Sequence, residues 1–211
     1  VKVVVAGGTG LVGRATIDAL LVAPQVLSVT ALVRREWPDA PRHPRLDVAV
    51  VDFDRLEASA ALPPGDALIC ALGTTMKQAG SQAAFRRVDH DYPVALGRLA
   101  RASGTRHYLL VSAVGANPAS RVFYNRVKGE TERDIEALGF PRVTIVRPSL
   151  LLGPRAEFRL VEAVGRIAGL MAPPRWRPVH ATQVAASLVQ ALLSDVPGVS
   201  VLENRRLLAA R

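Results

Sequence analysis

Tyr124 and Lys128 stand four residues apart in Tyr124-Asn125-Arg126-Val127-Lys128, a spacing that on a helix puts a phenol and an ammonium on one face. A free tyrosine titrates near about 10, too high to pass protons readily at neutral pH, and an adjacent cation favours the phenolate. Ser112, upstream at the end of an apolar run, adds a hydroxyl that can hold a carbonyl oxygen. Together the three suit carbonyl reduction: Ser112 orients the carbonyl, Tyr124 gives it a proton, and a reduced nicotinamide delivers hydride to the carbon. Tyr-x-x-x-Lys alone is a common surface pair, so the weight of this reading rests on whether the chain also carries a hydride donor.

Gly7-Gly8-Thr9-Gly10-Leu11-Val12-Gly13 supplies the place for one. Val3-Val4-Val5-Ala6 before it reads as a buried parallel strand, and Leu11 to Val22 after it carries apolar residues at helical spacing, so the glycines form a strand-to-helix turn. In that setting Gly7 permits the turn, Gly10 lets the backbone approach a pyrophosphate, and Gly13 lets helix and strand pack closely. Thr9, Leu11 and Val12 belong to the same amide-lined cradle. The spacing is G-x-x-G-x-x-G, which departs from G-x-G-x-x-G. The next strand, Leu27 to Val33, ends in Arg34-Arg35, where an acid would bind the ribose 2′-hydroxyl of NAD. Two guanidinium groups suit a 2′-phosphate instead, so the expected cofactor is NADPH (NADP+).

A chain of strands and helices must hold these groups. Val48 to Val51 reads as a third strand ending at Asp52-Phe53, Ala67 to Leu72 as a fourth, His107 to Val111 as a fifth running into Ser112, and Arg142 to Val146 as a sixth ending at Arg147-Pro148. Helices are expected from Phe85 to Ala102, stopped by Ser103-Gly104, from Phe123 to Leu138, and from about Ala181. Alternation of this kind marks an α/β fold, a Rossmann-type doubly wound parallel sheet with a small C-terminal substrate-side extension. Ligands then sit at the carboxyl ends of the strands. Asp52 there could accept from an adenine amino group or cap a helix, Phe53 borders it, and Leu72-Gly73-Thr74 would lie under the nicotinamide end.

The 211 residues suit a single domain, 1–211, with 149–181 forming a small substrate-side lobe. Leu150-Leu151-Leu152, Phe158, Leu170-Met171 and Trp176 are candidate pocket residues, His180 reads as a helix-flanking histidine, and Glu203 to Arg211 as a frayed or partner-dependent tail. Cys70 is the only cysteine, in a buried run, which excludes an internal disulfide or cysteine cluster, and no metal site is read. The formal net charge is +9, yet the cations are scattered and arginine outnumbers lysine 24 to 3. No basic helix, aromatic interleaving or zinc-finger pattern accompanies them, so a nucleic-acid partner is not expected. No apolar run reaches membrane-spanning length and the N-terminal residues show no charged-then-apolar leader pattern, so a cytoplasmic protein with no membrane partner is expected. A dimer helix would look like any buried face, and the sequence sets no oligomeric state.

At Gly7, Gly10, Gly13, Ser112, Tyr124 and Lys128 the chain resembles an atypical, extended-type short-chain dehydrogenase/reductase, across most of its length. Val50-Val51-Asp52-Phe53, Cys70-Ala71-Leu72-Gly73-Thr74-Thr75, Val88-Asp89-His90-Asp91-Tyr92 and Val127-Lys128-Gly129-Glu130 resemble, more narrowly, the HIV Tat-interacting oxidoreductase-like proteins, a branch that binds NADPH. The resemblance implies that Lys128 also bonds the nicotinamide ribose, that Arg34 and Arg35 meet the adenosine phosphate, and that Arg147, Pro148 and Ser149 border the nicotinamide. The asparagine of the usual catalytic set has no match, since neither Asn117 nor Asn125 fits it. Two functions follow: an NADPH-dependent oxidoreductase acting on a small carbonyl or quinone-like molecule, or an NADPH-binding regulatory protein working through a protein partner with little turnover. An epimerase or dehydratase retaining NAD would suit the triad but not Arg34-Arg35.

Overall fold

A computed structural model describes residues 1–58, 62–153 and 173–210. Seven strands form one parallel sheet: β1 (Lys2–Ala6), β2 (Ser28–Val33), β3 (Leu46–Val50), β4 (Ala67–Cys70), β5 (His107–Val111), β6 (Arg142–Arg147) and, from the C-terminal segment, Gly198–Glu203. They lie in the order β3-β2-β1-β4-β5-β6 and then Gly198–Glu203, which pairs with β6. The order reverses between β1 and β4, so the crevice that binds ligands in such sheets opens there.

Alternation along the strands divides the core into two layers. Val3, Val5, Ile69, Leu109 and Val146 face α1 (Leu11–Val22) on one side; Val4, Ala6, Leu68, Tyr108 and Ile145 face the other. The first layer is completed by Val184 and Leu188 of a helix that spans Ala181–Leu193.

The expected helix Phe85 to Ala102 forms as a contiguous run that begins earlier, α3 (Gln82–Arg86), and is interrupted by a π-helical turn (Arg87–Asp91) before α4 (Tyr92–Ala102); the short α2 (Met76–Ala79) precedes it. Pro93 explains the break: it has no amide to donate to the carbonyl of Asp89 four residues back. That carbonyl instead accepts from the Thr131 hydroxyl at 2.8 Å, on α5 (Phe123–Glu136).

Beyond β6, β7 (Leu151–Leu152) and β8 (Val179–His180) pair as a two-stranded ribbon leading into α6 (Ala181–Leu193). Much of the expected 149–181 lobe, with Phe158, Leu170 and Met171, lies outside the described residues. The expected frayed tail is instead structured: β9 (Gly198–Glu203) is the seventh strand, and α7 (Asn204–Leu207) buries Asn204 and Leu207 completely. The Asn204 side chain accepts from Ser149 N at 2.9 Å and donates to the carbonyls of Pro174 and Arg177 at 3.1 and 2.8 Å. That side chain thus ties together the two ends of the substrate-side segment, which is why the tail is ordered.

Two arginines finish the helices of the first layer. Arg45 donates to the carbonyls of Leu21 in the last turn of α1 and of Ala23 and Val26 just beyond it, and Arg142 to those of Ala191, Leu192 and Ser194 at the end of α6. Both supply cations where a helix leaves its last carbonyls unpaired.

Candidate functional site

The glycine turn sits at the mouth of the crevice. Gly7 has φ +86°, and a Cβ there would come within 2.5 Å of the Ala71 carbonyl oxygen on the far side of the crevice. A Cβ at Gly13 would meet the Gly7 oxygen at 2.1 Å, so the turn closes only with glycine at both places. Gly10 N donates to Gly7 O at 2.9 Å, and the first-turn amides of α1 are left facing outward without intrahelical acceptors. Such a cradle fits a pyrophosphate, which needs bare backbone and free N–H groups. A cavity of about 400 Å³ lies beside it, lined by Thr9, Leu11, Arg14, Leu152, His180 and Thr182, among others.

Arg34 and Arg35 are exposed at the end of β2. A third cation was not foreseen: Arg14, one residue past Gly13, has its guanidinium 5.2 Å over the Trp37 ring. Leu11 is half-buried, while Val12 and Phe53 turn inward, Phe53 against Tyr92 at 5.7 Å. Asp52 caps the turn that follows it, its Oδ1 accepting from Asp54 N at 3.0 Å. Arg147 spends its donors on protein carboxylates, gripping Glu132 with two nitrogens at 3.0 and 2.6 Å and Glu203 with the third at 3.0 Å. Glu132 comes first in holding that guanidinium well above its usual range, with Glu203 adding to it. Its neighbour Pro148 is buried and accepts from Val114 N at 2.9 Å.

The second group of residues surrounds Lys128. A buried ammonium needs a partner, and Lys128 Nζ lies 2.8 Å from Asp89 Oδ1, with the two side chains 7% and 0% exposed. The other oxygen of Asp89 accepts from Thr74 N at 2.9 Å. A Cβ on Gly73 would lie 3.5 Å from Asp89 Oδ1 and 3.8 Å from Lys128 Nζ, so this pair sits directly beneath the Leu72-Gly73-Thr74 turn at the end of β4. Burial pulls the Lys128 pKa down, but the charge of Asp89, then Tyr124 and the Asp89 hydrogen bond, outweigh it and raise it. Lys128 therefore keeps its proton.

Tyr124 is half-buried one turn earlier on α5, its ring 5.5 Å from that of Phe85, which is wholly buried. A Cβ on Gly129 would strike the backbone of Asn117 at 2.2 Å, so glycine lets α5 press against the loop that follows Ser112. Ser112 is held by its amide on Val146 O at 2.8 Å; its buried Oγ has no hydrogen-bond partner among the described residues. A hydroxyl so placed has its donor and acceptors available for a ligand. Lys128, Asp89, Gly73 and Thr74 are thus brought into one cluster beside Tyr124, and Ser112 stands at the end of the adjoining strand. Neither Ser112, Tyr124 nor Lys128 lines the 400 Å³ cavity, which belongs to the glycine-turn side. Asp89 was missed as a site residue because it reads as one of several charges on a helix; the signal was Pro93, four residues on.

His90 anchors the π turn that carries Asp89. It is nearly buried, with Nδ1 2.7 Å from Asp91 Oδ1 and Nε2 2.9 Å from Asp134 Oδ2 on α5.

Residues 7–195 match a family described as NAD(P)H-binding. Protein FMP52, mitochondrial, of Coccidioides immitis is 35% identical over 213 residues, 92% of this chain and 86% of its own. Protein HTATIP2 of Rattus norvegicus is 34% identical over 214 residues, 98% of this chain and 88% of its own. Among solved structures, MoeE5 in complex with UDP-glucuronic acid and NAD aligns with a TM-score of 0.75 at 17% identity, over 96% of this chain and 75% of its own. The oxidoreductase ylbE from Lactococcus lactis aligns at 0.68 and 16%, over 99% and 95%. These two likenesses bear on the fold alone, a Rossmann-type parallel sheet. The expectation of a cytoplasmic protein is overturned here, because the fungal relatives are named as mitochondrial.

Proposed function

This chain belongs to the NAD(P)H-binding family, as an atypical short-chain dehydrogenase/reductase of the HTATIP2-like branch, and on that footing we propose that it is an NADPH-dependent reductase of a small carbonyl or quinone-like substrate. The observation that carries this reading is the buried Lys128–Asp89 pair beneath Gly73, beside Tyr124 and across the crevice from the glycine turn. The residues at the turn fit a dinucleotide: Gly7, Thr9, Gly10, Leu11, Val12 and Gly13 would cradle its pyrophosphate. Arg34 and Arg35, with Arg14 near, would favour a 2′-phosphate, which supports NADPH over NADH. Asp52 and Phe53 would border the adenine, and Leu72, Gly73, Thr74, Arg147 and Pro148 the nicotinamide.

When bound, NADPH supplies the hydride. The chain does the rest. Ser112 Oγ, without a partner among the described residues, holds the substrate oxygen; Tyr124 gives that oxygen a proton as negative charge develops on it; Lys128 fixes the cofactor ribose and sits close to the phenol. A tyrosine used in this way must be resupplied with a proton from solvent, and its half-buried position leaves that path open.

A second reading is favoured by the 400 Å³ cavity, which among the described residues lies on the glycine-turn side and leaves out Ser112, Tyr124 and Lys128. An NADPH-binding regulatory protein acting through a protein partner needs only that half. One experiment separates the two. NADPH consumption is followed across aldehydes, ketones and quinones with wild type and Tyr124→Phe, alongside fluorescence titrations of NADPH and NADH. The reductase reading expects turnover that falls at least about 100-fold in the variant, with NADPH affinity kept and NADPH preferred over NADH. Turnover untouched by Tyr124→Phe would remove the proposed proton donor. Saturable NADPH binding with no turnover on the panel would favour the regulatory reading.

A further inference from the structure

The Lys128–Asp89 pair has an electrostatic consequence for the cofactor beyond holding it. The nicotinamide ring is a cation when oxidised and neutral when reduced. A lone buried ammonium beside it would repel the oxidised form, and at short range, with water largely excluded, that repulsion is strong. Asp89 is wholly buried and its Oδ1 lies 2.8 Å from Lys128 Nζ, so the two charges cancel at the place where the nicotinamide end would lie. Resting on the cofactor placement proposed above, we infer that Asp89 determines how the site discriminates between oxidised and reduced cofactor: by neutralising Lys128 it lets NADP+ remain bound alongside NADPH.

The surroundings are built for such a role. Asp89 Oδ2 is held by Thr74 N, and the turn that carries it is held through its carbonyl by Thr131 Oγ1 and through the next residue, His90, by Asp91 and Asp134. The other titratable neighbours of Lys128 are Tyr124 and Cys70. Cys70 is wholly buried, and burial pushes its thiol pKa up, so it stays neutral and Asp89 is the anion that balances the ammonium. A residue that merely kept the fold in place would affect both forms of the cofactor equally.

Asp89→Asn tests this, because an amide still accepts from Thr74 N while the negative charge is gone. Dissociation constants for NADPH and NADP+ are measured by fluorescence and calorimetry in wild type and variant. The expected result is that NADP+ weakens about tenfold more than NADPH, the size of one unit charge felt through partly screened surroundings. Equal weakening of both forms, or of neither, overturns the inference and leaves the cofactor site standing. Failure of the wild type to bind either form overturns both the inference and the reading it rests on. Neither measurement requires turnover. Should Asp89→Asn not fold, 13Cε resonances of wild-type lysine serve, since the chain has only three lysines. Lys128 is expected to keep its proton above the usual lysine value of about 10.4, and deprotonation below that value would overturn the pairing.

Discussion

The two faces of the sheet are built on different physics. Against α1 and α6 the core is hydrocarbon: Ile17, Leu20, Val184 and Leu188 meet Val3, Val5 and Leu109, and Arg45 and Arg142 sit at the helix ends. Against α4 and α5 the core is also apolar, but its rim at the strand ends holds buried charge: Lys128 with Asp89, and Arg147 with Glu132. Apolar burial is additive and forgiving, whereas a buried ion pair is stable only while complete. The face packed on α1 and α6 is therefore expected to tolerate repacking, and the face that holds the Lys128–Asp89 pair is not.

The sharpest way to break that contrast is Lys128→Met. It strands the Asp89 carboxylate and is expected to cost about 3–5 kcal/mol, measured by denaturant unfolding. Adding Asp89→Leu should recover much of the loss while leaving cofactor binding weak; no recovery would mean that the pair is not the source of the cost. On the hydrocarbon face, Leu20→Ala is expected to cost about 2–5 kcal/mol through lost burial and a cavity, at the lower end if α1 and α6 close in. Its NADPH affinity at a temperature where the protein is folded should be unchanged. A large loss of affinity there would couple the two faces.

The smallest effect concerns pH. His107 is buried on β5, its Nε2 2.9 Å from Thr144 Oγ1. Burial, and then Arg142, push its pKa down to about 4 from 6.5. Between those values the unfolded chain binds more protons than the folded one, so stability falls as the pH drops from about 6.5 to about 4, by at most about 3 kcal/mol, and is flat in this term above 6.5. Thermal unfolding of wild type and His107→Gln across that window checks it, and an equal slope in both would rule His107 out as the cause.

Some of this was legible in the sequence. The run Val3 to Ala6, the glycines and the apolar spacing of α1 agree with one another at every level, so that strand, turn and helix were readable together. The Tyr124–Lys128 pair was readable because helical spacing alone puts both on one face. Asp89 was not, because its role depends on a register shift that Pro93 imposes and on Thr74 arriving from another element. β9 was not, because an edge strand with Val199 and Val201 outward lacks the buried alternation that marks a central one. Its order rests on Asn204 and Arg147, whose partners are distant in sequence.

That distance has a timing consequence. Arg147 and Glu203, which meet at 3.0 Å, are 56 residues apart in the chain. At a synthesis rate of about 5–20 residues per second, β6 is made roughly 3–11 s before the strand that covers its edge. During that interval Val143, Thr144, Ile145 and Val146 present an open, apolar strand edge to the crowded surroundings of the ribosome, the kind of edge that recruits foreign strands. A newborn chain halted after β6 thus lacks the strand that covers the β6 edge in the finished sheet.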